Sequence, residues 1–175
     1  MQSLRQAMRR LWSDHVVWTR QYLVAALDGK PEADGAASRL LRNQDDIGRA
    51  MASFYGESLG SELTKLLKQH VSIAVEVIDA AKKKNHYRFH AANDSWDRNA
   101  ADIASLLSFV NPQWHRADVY DLLMQHLNLT REEVKAHLKR HHLADIHSFD
   151  LIYTEILTLA DALSDGIIKQ FPERF

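Results

Sequence analysis

Ten of the 175 residues are histidines, and two of them sit where a buried site would need them. In 59–83 the apolar positions Leu59, Leu63, Leu66/Leu67, Ala74, Val77 and Ala81 alternate by three and four with His70 at their centre. That spacing marks one buried face of a long helix. Near the N-terminus Leu4, Met8, Leu11, Trp18, Tyr22 and Ala25 repeat the pattern around His15. The helices that follow share the string Arg-Asn-x-x-Asp-Ile-small, as Arg42, Asn43, Asp46, Ile47, Gly48 and as Arg98, Asn99, Asp102, Ile103, Ala104. His15 precedes Asn43 by 28 residues and His70 precedes Asn99 by 29. At about 1.5 Å rise per residue all four lie near mid-helix, with Asp46 and Asp102 one turn along on the same face.

Six polar groups, His15, Asn43, Asp46, His70, Asn99 and Asp102, are thus expected to meet inside the molecule. Buried without partners, each neutral group would cost roughly 1–3 kcal/mol and each carboxylate more. One solution is a divalent metal, iron, manganese or zinc, held between facing helices by histidine and carboxylate. The Glu-x-x-His pair typical of such bundles is missing, and asparagine is a poor ligand in place of glutamate. The other solution is a hydrogen-bond network that only fixes helix register. Both readings stand at the level of sequence: a metal or small-ligand site, or a structural or interaction module without catalysis.

The elements that would position this layer are helical throughout. Prolines (three) and glycines (six) fall mostly between periodic segments, and no strand alternation or hairpin dipeptide occurs. The pattern predicts helices over about 4–27, from Pro31 to Tyr55, over 59–83 and over 86–110, then two short helices at 117–127 and from Thr130, whose Thr130-x-x-Glu133 spacing reads as a capping box. A last long helix over about 144–170 would bury Ile146, Phe149, Tyr153, Ile156, Leu163 and Ile167. The expected fold is an all-α, single-domain, up-down-up-down bundle. It would consist of two duplicated αα-hairpins, about 4–56 and 59–112, with a C-terminal extension over 113–175.

Composition narrows the function classes. Twenty-two basic and 23 acidic residues leave a formal charge of −1, so no global field draws the chain to nucleic acid. Without cysteine there is no disulfide, thiolate ligand or thiol nucleophile. No membrane span and no signal peptide are expected, which predicts a cytoplasmic protein. Glu155 and Asp161 would reach the layer only if the last helix seals the bundle. His137, His141 and His142 read as a solvated cluster, and Trp12, Trp18 and Trp96 as walls of the layer. Acidification from pH 7 to 5 is expected to disturb the core near Trp18 and Trp96 before global unfolding.

The strings Leu11-Trp12-x-Asp14-His15-x-x-Trp18, Leu41-Arg42-Asn43-Gln44-x-Asp46-Ile47-Gly48, Leu63-Thr64 through His70, and Gly166 through Pro172 also carry a resemblance. Over nearly its whole length the chain is similar to a family of bacterial all-helical proteins with no established activity. The resemblance implies an all-α fold and nothing about chemistry.

Overall fold

The computed structural model describes residues 2–175. Six helices follow one another: α1 (Gln2–Asp28), α2 (Glu32–Tyr55), α3 (Glu57–Lys82), α4 (His86–Val110), α5 (Arg116–Leu138) and α6 (His142–Gln170), with a 3-10 turn at Pro172–Arg174. Among the described residues there is no strand. Each helix packs on its neighbours in the chain, and α6 returns to α1, so the six form a closed ring. Short connections make successive helices antiparallel. The odd helices α1, α3 and α5 also touch one another across the middle, and each even helix bridges two of them on the outside.

The expected two short helices are one. Thr130 does not cap a new helix: its hydroxyl donates to the carbonyl of His126 at 2.9 Å in mid-helix, and Glu133 pairs with Arg20 instead of folding back on an amide. Continuous α5 pairs with α6 as a third hairpin, so 113–175 is not an appendage to a two-hairpin bundle. On α6, Ile146 is 53% exposed and Tyr153 37%, not buried as their spacing suggests; Ile152, Ile156, Leu159, Leu163 and Ile167 face the core.

The ends of the three odd helices show how alike the hairpins are. The amides of Lys30, Asn85 and His141 donate back to the carbonyls of Ala25, Ala80 and Ala136, while those of Gly29, Lys84 and Arg140 donate to Ala26, Ala81 and His137. This paired closure needs a left-handed residue at its turn. Gly29, Lys84 and Arg140 take φ of 70°, 52° and 57°. The core repeats likewise: Met8, Leu63 and Val119, then Leu23, Ile78 and Val134, recur at intervals of 55 and 56 residues and all are buried. No helix is long and apolar enough to cross a membrane.

Candidate functional site: a buried histidine triangle

The same interval links His15, His70 and His126 on the inner faces of α1, α3 and α5 (15 to 70 to 126). Each is only 4% exposed. Their rings form a triangle with centroid separations of 6.3 Å (His15–His70), 5.7 Å (His15–His126) and 6.4 Å (His70–His126). A cavity of about 10 Å³ lies between them, walled by Trp12, Leu67, Ile103, Leu123, Ile156 and Leu159. That is room for about one water-sized body.

In every hairpin the Nδ1 of the histidine meets a polar side chain 29 residues on, from the partner helix. His15 Nδ1 lies 3.2 Å from Gln44 Nε2, His70 Nδ1 lies 2.8 Å from Asn99 Oδ1, and His126 Nδ1 lies 3.0 Å from Glu155 Oε2. Asn99 also donates to the carbonyl of Leu66 at 3.0 Å, as Asn43 does to that of Leu11 at 2.9 Å. Asn43 therefore keeps the cross-helix bond, while its neighbour Gln44 takes the histidine. The second ring nitrogen differs among the three. His70 Nε2 accepts from Trp96 Nε1 at 3.1 Å, whereas Nε2 of His15 and of His126 has no partner among the described residues. Trp12 Nε1, Gln44 Oε1 and Glu155 Oε1 are buried without a hydrogen-bond partner.

Burial keeps His15 and His70 neutral. It is the main reason that the His15 imidazolium is disfavoured far below its usual range, with His126 and His70 adding repulsion. Burial also brings His70 down to about 3, helped by His126 and opposed by Asn99.

The structure thus brings together His15, His70, Asn43 and Asn99 of the expected layer, and it leaves Asp46 and Asp102 outside. Asp46 pairs with Arg49 at the surface, and Asp102 is exposed, because one turn beyond Asn43 and Asn99 these helices already face solvent. Glu155 takes the carboxylate position, and Asp161 stays at the rim, bound by Arg9. Trp12 and Trp96 wall the centre; Trp18 instead lies under the Arg39 guanidinium, 5.6 Å from it. Of the histidine cluster, His137 is engaged by two carboxylates, Asp145 at 2.9 Å and Asp28 at 3.1 Å, while His141 and His142 are exposed. The signal that would have found His126 and Glu155 is the 56-residue step from His70 and Asn99.

Among the described residues no group of three or more His, Asp or Glu already stands at ligating geometry. Comparison with known proteins adds no relative: no family model, no curated protein and no solved structure matches the chain.

Proposed function

We propose that the chain binds one divalent transition-metal ion through Nε2 of His15, His70 and His126. The observation that carries this reading is the convergence of three buried imidazoles, each tethered at Nδ1 by a side chain of the next helix. Metals bind neutral imidazole, and a partner on the opposite nitrogen fixes tautomer and aim. Three rings on one ion at about 2.1 Å have centroids roughly 5–5.5 Å apart, so the triangle has to contract by up to about 1.4 Å along its longer sides. Trp96 has to release His70 Nε2. Rotating the Gln44 amide would give its unpaired Oε1 the Nδ1–H of His15. An all-nitrogen set suits zinc or ferrous iron; manganese prefers the oxygen ligands that Asp46 and Asp102 do not supply here. A cavity of about 10 Å³ admits an ion but no organic ligand.

The test is titration of metal-free protein made without a histidine tag. Zinc is expected to bind at one ion per chain, raise Tm, and alter Trp96 emission as the indole leaves His70, all three effects being lost in His126→Leu with Glu155→Leu. Absence of stoichiometric zinc or iron and of any Tm shift overturns the reading. The existing Trp96 to His70 bond favours a second one, a purely structural network. Under it metals have no effect and the same double replacement costs little, because both buried partners leave together.

A further inference from the structure

The repeat that builds the histidine triangle also creates three equivalent mouths at the end of the ring where α1, α3 and α5 terminate, and the three are filled differently. Between α5, α6 and α1 the space holds His137 and Asp145, hydrogen-bonded to each other and extended by Arg20, Glu133 and Asp28. Between α1, α2 and α3 the Lys82 ammonium reaches across to the carbonyl of Ala26. Between α3, α4 and α5 the residues equivalent to His137 and Asp145, one repeat earlier, are Ala81 and Phe89. Alanine leaves the space empty and phenylalanine lines it without a polar group. A mostly apolar groove of about 450 Å³ results, floored by Ala80, Ala81, Phe89, Val134 and Leu138. That volume is in the range of small-molecule sites.

The lip of this groove is cationic. Lys84, Lys135 and Lys139 stand around it. Lys135 reaches Glu132 only at 3.4 Å, and Lys84 and Lys139 have no carboxylate partner among the described residues. Lys84 adopts φ 52° at the turn where the first repeat uses Gly29, so a long cation is held in a left-handed conformation that glycine would take more easily. The N-terminus of the 25-residue α4 opens on the same edge through Asn85 and His86 and adds the positive end of its dipole. Arg131 is already taken by Asp97 and Asn93 and serves as a wall.

An apolar floor under unpaired cations selects a ligand with the opposite arrangement. We propose that this groove binds a small amphiphilic carboxylate, its apolar body against Ala81, Phe89 and Val134 and its negative head between Lys84 and Lys139.

Decanoate below its micellar concentration is the probe, with the full-length chain followed by NMR and calorimetry. Saturable one-to-one binding is expected, shifting the methyl signals of Val134 and Leu138. Lys84→Glu with Lys139→Glu should weaken it at least tenfold; both side chains are exposed, and an unchanged Tm and helical spectrum verify that the variant folds. Decyltrimethylammonium, with the same chain and the opposite charge, should bind at least tenfold more weakly than decanoate. No saturable decanoate binding, equal affinity for the cationic amphiphile, or an unaffected double variant overturns the proposal. So does inorganic phosphate or an acidic peptide binding as tightly as decanoate, since either would show that the apolar floor contributes nothing.

Discussion

A histidine kept neutral by burial makes folding stability depend on pH in a definite direction. In the unfolded chain His15 and His70 protonate near 6.5. In the folded chain burial postpones this, for His70 to about 3 and for His15 to well below its usual range. Between those values the unfolded state binds more protons. The stability that the neutral rings allow is therefore complete above about pH 6.5 and is lost as pH falls, at up to roughly 1.4 kcal/mol per pH unit for each ring. Urea unfolding at pH 7, 6 and 5 should show this decline, and His15→Gln with His70→Gln should flatten it. A wild-type profile that is level from 7 to 5 would mean that the rings are solvated. Because protonation opposes the folded state as a whole, the expectation of a local disturbance near Trp18 and Trp96 ahead of unfolding is replaced by one of global destabilisation. At this scale the sequence revealed His15, His70, Asn43 and Asn99 through their stripe position and their string. It hid Glu155, because the third repeat has glutamate where the second has Asn99 and no Arg-Asn string surrounds it.

Helices recognise one another by how closely their backbones come. At the α2–α3 crossing, a Cβ added to Gly48 would lie 2.7 Å from the carbonyl oxygen of Gly60, and one added to Gly60 would lie 2.6 Å from the Ala52 Cβ. The positions equivalent to Gly48 are Ala104 and Ala160, so the first hairpin makes the tightest contact with its successor. Gly60→Ala is expected to destabilise the fold by about 1–3 kcal/mol through overpacking, which outweighs alanine's better helix propensity. Equal or greater stability in chemical denaturation would show that the two helices slide apart at little cost. The first four helices were legible because their apolar stripes run unbroken between glycine, proline or basic ends. Helix α5 was not, since Thr130 and Glu133 have the spacing of a helix start. Only the tertiary partners of those side chains, the His126 carbonyl and Arg20, show that the helix continues.

Across the whole molecule five short connections join six helices, and one junction of the ring, between α6 and α1, has no connecting peptide. Near the start of α1, Arg5 meets Asp165 and Arg9 meets Asp161, both pairs at 2.6 Å and partly open to water. Such pairs weaken as salt screens them. The junction is therefore where the ring is expected to open, and that opening would limit how quickly anything small exchanges with a centre only 4% exposed. Trp12 reports this directly, because its indole N–H lies buried and unpaired on α1 beside the cavity. Hydrogen–deuterium exchange of that proton should speed up with ionic strength, and Arg5→Ala with Arg9→Ala should speed it further and remove the salt dependence. Exchange that ignores both would place the route elsewhere on the ring. A ring whose one unlinked junction is an apolar seam fastened by charge pairs is expected to load and empty more slowly at low salt, so what it holds would be governed by kinetics as much as by affinity.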